Sequence, residues 1–395
     1  MREDEPQEIQ TLLSAWGVDH AALSAVVRQA LECSSVDIVD VQGGPIYGGT
    51  SSIGQGVAGV YRLTGVARDF QRDLTWSLIF KIIGVTDAKR DPSGPWYWKR
   101  ELLAYQSKQL EQLPGPLRAA RCFGTVEISD TLTGLWFEDI VDDIGSHWPL
   151  ERYALTAHHL GQFNAAYINS SALASWSWLG HGWLRRLVEQ EGHRSVTLLR
   201  EYQNHSLVAQ IYTKESIEQI VRLWHEHGPW LDALDRLPQT LCHNDAFRRN
   251  LFARRGADGQ PETVAIDWAF VGTGAVGQDL GPLVAGTLEF QEVDIAHAAQ
   301  LDAIVFDGYL NGLRAAGWHD DPRKVRFAYA AAAPFIYELG CAALLVDFLT
   351  QQDGSVEQLE HGEGTADELI HLLGQSLGFR LRLADEARTL LNSVS

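Results

Sequence analysis

Nine residues, "CHNDAFRRN" (242–250), bring a histidine, an aspartate, two asparagines and two arginines together between "LPQTL" and "LFARR". Asp245 and Asn250 stand five positions apart, and His243 precedes the aspartate by two. A carboxylate on such a loop can take a proton from a substrate hydroxyl. The amide carbonyl of Asn250 is a hard oxygen donor suited to Mg2+. Seventeen residues beyond Asn250, in "VAIDWAF", the apolar run "TVAI" ends on Asp267. A carboxylate closing a buried strand is costly unless it is paired or metal-bound. Each residue also has a plain structural reading, as part of a solvated loop, as a helix cap or as an arginine's partner. Together, D-x4-N on a loop and an aspartate ending the next apolar strand match a base and two metal ligands. That combination is far more specific than any of its members.

Two further features upstream could bear chemistry. Lys81 lies inside the apolar run "SLIFKIIG", where a strand lysine either faces solvent at a sheet edge or reaches a phosphate from within the fold. In the second case a carboxylate must hold its flexible stem, and Glu101 in "WKRELLAY" is the candidate. "GQGVAG" places Gly54, Gly56 and Gly59 in a G-x-G-x-x-G spacing. A dinucleotide fingerprint requires a helix directly after the glycines. The following "VYRLTGVA" reads as strand, which leaves a hairpin whose backbone can approach phosphates, or an ordinary hairpin.

The elements that must carry these residues change character along the chain. Apolar positions at helical spacing over 7–33 break near Gly17–Val18–Asp19. From 36 to 84, β-rich runs are punctuated by Gly and Asp. A helix is expected over 95–112 with Pro95 near its first turn, and strands over 117–127 and 132–138. Beyond Asp139 the sequence reads as helical at 149–169, 208–234, 293–316, 325–350 and 365–393, with a β-rich island near 240–270. Two domains follow, 1–138 and 139–395, and "DGSVEQLEHGEGTAD" reads as an exposed loop.

Composition narrows the functional classes. The formal net charge is −19, with 51 acidic against 32 basic residues, which argues against nucleic acid or an anionic membrane as partner and permits a cationic substrate. The four cysteines, Cys33, Cys122, Cys242 and Cys341, form no C-x-x-C pair, so reduced thiols and a cytoplasmic location are expected. The acidic "MREDEPQEIQ" is unlike a signal peptide, and no run approaches ~18 consecutive apolar residues, so no membrane span is expected.

"CHNDAFRRN" followed by "IDW" resembles the catalytic and metal-binding segments of the aminoglycoside phosphotransferase and choline kinase-like enzymes. The resemblance runs from about residue 54 to 281. It implies an α+β, bilobal protein-kinase-like fold, with a small N-terminal antiparallel β-sheet lobe and a larger, mostly helical C-terminal lobe. It also implies ATP- and Mg2+-dependent transfer of a γ-phosphate to a hydroxyl of a small molecule, an aminoglycoside or another amino- or sugar-type acceptor, with GTP left open as the nucleotide. By resemblance Asp245 is the catalytic base, Asn250 and Asp267 hold the metal, and His243 orders the loop. Asp279 in "GQDLGPL" braces that loop. Lys81 and Glu101 form the phosphate-positioning pair, with "RELLAY" also similar to the family, and Gly54, Gly56 and Gly59 belong to the phosphate loop. Backbone groups of Phe137, Glu138, Asp139 and Ile140 in "LWFEDI" contact the nucleotide base. Asn244 stands where the family often has glycine, and asparagine tolerates the left-handed conformation this requires. Arg248 and Arg249 read as braces for nearby carboxylates or carbonyls, with stabilisation of the transferring phosphoryl group as the alternative.

Two rival readings remain. A protein kinase would carry D-F-G where "IDW" stands, and would need more than the twelve-position separation of Asp267 and Asp279 to dock a peptide. A nucleotide-binding module without turnover has no chemical need of Lys81, Asp245, Asn250 and Asp267 together. The acceptor is not readable. Its pocket is expected among helices after 290 and the 149–230 region, with "FAYAAAAPFIYELG" as one wall.

Overall fold

A computed structural model of the chain describes residues 11, 13–46, 57–70, 72–85, 90–350 and 366–394. These fall into two compact units. The first takes residues up to 91 with 96–111 and 120–141, and the second takes 92–95, 112–119 and everything from 142 onward.

The first unit is an antiparallel sheet of five strands: β1 (Val36–Pro45), β2 (Val57–Asp69), β3 (Arg72–Gly84), β5 (Cys122–Ser129) and β6 (Leu132–Glu138). Their order is β1-β2-β3-β6-β5, so β3 is the central strand. Successive strand residues face opposite sides. Trp76, Leu78, Phe80 and Ile82 of β3 therefore enter one apolar core with Leu63, Ala67 and Trp136. Helix α1 (His20–Ala30) closes that core with Leu23, Val26 and Val27. It is capped by Asp19, whose carboxylate accepts the Ala22 N–H at 2.8 Å. The odd-numbered β3 positions, Lys81 among them, belong to the opposite face, the side of helix α2 (Arg100–Gln106).

In the second unit, β4 (Leu117–Ala119), β9 (Pro261–Ala265) and β8 (Leu251–Arg255) form one small sheet, and β10 (Gly272–Ala275) pairs with β7 (Gln239–Cys242). The principal helices are α3 (Leu150–Tyr167), α4 (Trp183–Glu201), α5 (Lys214–Arg236), α6 (Ala298–Ala315), α7 (Pro322–Pro334), α8 (Ala342–Thr350) and α9 (Ala366–Val394). The stretch Pro322–Asp347 is long and apolar enough to cross a membrane, but 78% of its most apolar window is buried inside the fold. It forms part of the core of the second unit.

Several expectations need correction. The helix expected over 95–112 is confined to Arg100–Gln106, followed by a short 3-10 turn at Gln109–Gln112. The helix expected from 208 is fully formed only from Lys214, where the Thr213 hydroxyl caps it by accepting the Ser216 N–H at 3.1 Å. Helix α4 lies between the expected helices; its buried Leu184, Leu187, Val188, Val196 and Leu199 keep helical spacing, interrupted at Gly192. The segment 325–350 is not one α-helix: a π-turn, Phe335–Cys341, separates α7 from α8.

Candidate active site

The loop after β7 is built around a buried carboxylate. Asp279 accepts the backbone N–H of His243 at 3.2 Å and that of Asn244 at 2.8 Å. It also accepts the Asn164 side-chain amide from α3 at 3.2 Å. Burial pushes its pKa up, opposed by those donated hydrogen bonds. Asn164 spans further: its Nδ2 donates to Leu241 O at 2.7 Å, and its Oδ1 accepts the Tyr309 hydroxyl at 2.7 Å. Asn244 takes a left-handed conformation, φ 66°, which asparagine adopts at low cost. Its side chain is also committed, donating to Phe270 O at 2.8 Å and accepting from Gln278 Nε2 at 2.6 Å.

His243 supplies a second brace. Its Nδ1 accepts the Asp245 N–H at 3.2 Å, so the ring proton sits on Nε2, which donates to Ile266 O at 2.9 Å. Both nitrogens are used as a neutral imidazole uses them. His243 is fully buried and orders the loop from behind.

On this scaffold Asp245 and Asn250 meet directly. The Asn250 Nδ2 donates to the Asp245 carboxylate at 2.8 Å and to its backbone carbonyl at 3.0 Å. With its amide hydrogens on Asp245, Asn250 keeps Oδ1 for another partner. Asp245 is half-buried and Asn250 buried. The β8–β9 hairpin delivers the third residue. Leu251 pairs with Ala265, and the Ile266 N–H extends the ladder to Asn250 O at 2.9 Å. Asp267 follows at that same end, half-buried and left-handed at φ 58°. A non-glycine residue held there costs on the order of 1–2 kcal/mol, and such outliers cluster at functional sites. The donor set, one carboxylate and one amide oxygen, fits Mg2+, which is commonly held by one or two carboxylates with waters and phosphates completing the shell.

The two arginines of the motif are braces. Arg248 is buried against Trp148, donates to Gly145 O at 2.6 Å and Leu251 O at 3.1 Å, and pairs with Asp142 at 3.4 Å. Arg249 donates to Glu292 at 2.8 Å and lies over Phe290. Asp142 itself accepts the N–H groups of Ile144, Gly145 and Ala253, each at 2.9 Å.

In the first unit, Lys81 Nζ lies 2.7 Å from Glu101 Oε2, with both side chains at most 10% exposed. The solvent-facing reading of Lys81 is therefore excluded: it sits on the central strand, opposite Val60 of β2 and Leu135 of β6. Gly54 and Gly56 lie outside the described residues. Gly59 falls within β2, where a Cβ would meet the Tyr61 ring at 2.6 Å. A strand, not a helix, follows the glycines. Of the four linker residues, Phe137 is a buried β6 residue, and the Glu138 N–H is taken by Arg121 O at 3.0 Å. The Asp139 carboxylate is occupied by Arg62, at 2.8 and 3.0 Å, and by the Ser77 hydroxyl. The side chain of Asp139 is thus committed to neighbours within the first unit.

Sequence reasoning missed Asn164, Gln278, Tyr309 and Asp142. Asn164 and Tyr309 come from distant helices and carry no local motif, Asp142 lies just beyond β6, and Gln278 stands beside Asp279 in "GQDLGPL" without being singled out.

Residues 181–328 match the phosphotransferase enzyme family. That stretch holds Asp245, Asn250, Asp267 and Asp279. The fold class implied by "CHNDAFRRN" and "IDW" is the one observed, an N-terminal antiparallel sheet with a mostly helical remainder. No curated protein matches the chain. Similar solved structures include an aminoglycoside phosphotransferase from Alicyclobacillus acidocaldarius, at 16% identity over 82% of this chain and 90% of that one, with a TM-score of 0.48. A Plasmodium vivax ethanolamine kinase is 11% identical over 84% and 80%, TM-score 0.47. An aminoglycoside phosphotransferase from Streptomyces rimosus, solved with ADP and streptomycin, is 15% identical over 81% and 99%, TM-score 0.44.

Proposed function

We propose that the protein is a phosphotransferase that moves the γ-phosphate of ATP, with Mg2+, to a hydroxyl of a small molecule, an aminoglycoside or another amino- or sugar-type acceptor. The observation that carries the reading is the Asp245–Asn250 contact on a loop locked by Asp279, with Asp267 at the adjoining hairpin end. Asp245 takes the proton of the acceptor hydroxyl as its oxygen bonds to the γ-phosphorus, while the bond from that phosphorus to the β–γ bridging oxygen breaks and ADP leaves. Asn250 Oδ1 and the Asp267 carboxylate would hold Mg2+, which when bound neutralises charge on the phosphates. Lys81, kept in place by Glu101, is the group for the nucleotide phosphates.

The protein-kinase alternative is not favoured. Between Asp267 and Asp279 the chain is spent on a 3-10 turn at Trp268–Phe270, on β10 paired with β7, and on the turn from Ala275 to Gln278. This leaves no segment to dock a peptide.

The test is ADP release from Mg-ATP with ethanolamine, choline, streptomycin, kanamycin and erythromycin in parallel, with casein as the protein substrate. An O-phosphorylated small molecule is expected, together with loss of turnover in Asp245→Asn. Casein labelling with no small-molecule product would overturn the proposal.

A further inference from the structure

The π-turn Phe335–Cys341 is held open by two identifiable residues. Pro334 precedes it and has no N–H to donate. On the other side, the Ser195 hydroxyl of α4 donates to Leu339 O at 2.9 Å and accepts the Ala343 N–H at 3.1 Å. In an uninterrupted α-helix that N–H would bond to that carbonyl directly. A side chain inserted into the ladder is a recognised cause of such a break, and π-turns are frequent at functional sites.

The turn directs Tyr337 toward the catalytic loop. A Cβ added to Gly286 would lie 2.7 Å from the Tyr337 hydroxyl and 2.7 Å from Phe247 Cβ. The missing side chain at 286 is therefore what lets the phenol sit beside residue 247, two positions after Asp245. Arg380 of α9 backs the ring, its guanidinium 5.0 Å from the ring centroid. Arg380 is itself fixed between Glu338, Glu289 and Ser376. Phe290 stacks on Phe247 with centroids 5.0 Å apart. Among the described residues the Tyr337 hydroxyl has no hydrogen-bond partner, and the side chain is half-buried. Burial raises the phenol well above its ordinary value, and Glu289 and Asp245 add to the effect. It is a neutral O–H donor.

We propose that Tyr337 is an acceptor-binding residue, whose O–H donates a hydrogen bond to the small molecule presented to Asp245. The inference rests on the reading of the chain as a phosphotransferase acting through Asp245. It assigns acceptor specificity to the π-turn and to its Ser195 and Arg380 supports.

Tyr337→Phe removes one oxygen and keeps the ring on Arg380. The acceptor giving most ADP in the panel above is titrated against wild type and variant, alongside Mg-ATP titration and the slow hydrolysis of Mg-ATP by water. The variant is expected to raise the KM of that acceptor about tenfold, the scale of one hydrogen bond, with the KM for Mg-ATP, the water reaction and the melting temperature unchanged. An acceptor KM within twofold of wild type, or a parallel rise for Mg-ATP, overturns the assignment while wild-type turnover leaves the phosphotransferase reading intact. Wild type inactive toward every panel member defeats that reading, and this inference with it.

Discussion

The side-chain nitrogen of Asn250 lies 2.8 Å from the carboxylate of Asp245 and 3.0 Å from the Asp245 backbone carbonyl. The proposed base and a proposed metal ligand thus position one another. Asp245→Asn keeps size but removes the charge that takes up the proton. It should lower the transfer rate by ~10²–10⁴, the range for acid–base groups, with little change in Mg-nucleotide affinity. Asn250→Ala should instead raise the Mg2+ concentration needed for half-maximal rate. Nucleotide titration at varied Mg2+, with single-turnover transfer, separates the two. Lost nucleotide binding with an intact chemical step in Asp245→Asn would reverse the roles.

Asp267→Ala removes the other proposed ligand from a half-buried position. Phosphoryl transfer should be abolished, while the urea midpoint stays near wild type or falls slightly, because alanine takes the left-handed conformation at φ 58° less readily than aspartate. Near-wild-type turnover at saturating Mg2+ would rule out a metal role.

The Lys81–Glu101 pair should behave as one unit. Lys81→Ala should weaken productive ATP engagement strongly and Glu101→Ala less so, with the double variant no worse than Lys81→Ala alone. Breaking a buried pair should also destabilise the fold by about 3–5 kcal/mol. Fully additive losses in a double-mutant cycle, read by nucleotide titration and urea unfolding, would contradict the pairing.

Asp279→Asn tests the loop brace. One carboxylate oxygen facing a backbone N–H becomes an amide donor, so the loop should shift and kcat should fall by ~10², the scale of a 1 Å misplacement. Stability should fall by about 1.5–3 kcal/mol for a hydrogen bond to a buried charge. An unchanged kcat with reduced stability would show that Asp279 supports the fold without positioning Asp245.

His159 gives the pH dependence its sign. It is buried with Nδ1 2.8 Å from the Thr263 hydroxyl, and burial lowers its pKa from the ordinary 6.5 to about 3. The unfolded chain binds a proton below pH 6.5 that the folded chain does not, so this contribution is intact above 6.5 and declines as pH falls toward 3. The slope approaches ~1.4 kcal/mol per pH unit for one group. Urea midpoints between pH 7 and 4 should fall more steeply for wild type than for His159→Gln, and parallel profiles would refute it.

The candidate chemistry-bearing residues were legible because their types recur at short, characteristic spacing. H-x-D-x4-N and the aspartate of "IDW" sit on one loop and one hairpin, and the β8–β9 register alone brings Asn250 and Asp267 to the same end. The strands of the first unit were legible for a similar reason, since β-branched and aromatic runs alternate in the sequence itself. Lys81 was readable as a candidate but not as a buried one. Its environment depends on β3 being the central strand and on Glu101 arriving from a helix twenty residues away.

What tertiary structure decided is everything that acts at long range. Asn164 and Tyr309 support the candidate catalytic loop from two separate helices, and nothing in their own neighbourhoods marks them; Gln278 stands next to Asp279 in "GQDLGPL", but its bond to Asn244 is visible only in the fold. Helical periodicity over 325–350 is the same whether the ladder is continuous or broken. The break at Phe335–Cys341 depends on a hydroxyl from residue 195, and the placement of Tyr337 on a glycine at 286 and an arginine at 380. Local sequence carries propensity and periodicity, which are properties of neighbours. A hydrogen bond between residues a hundred or more positions apart exists only once packing has brought them together.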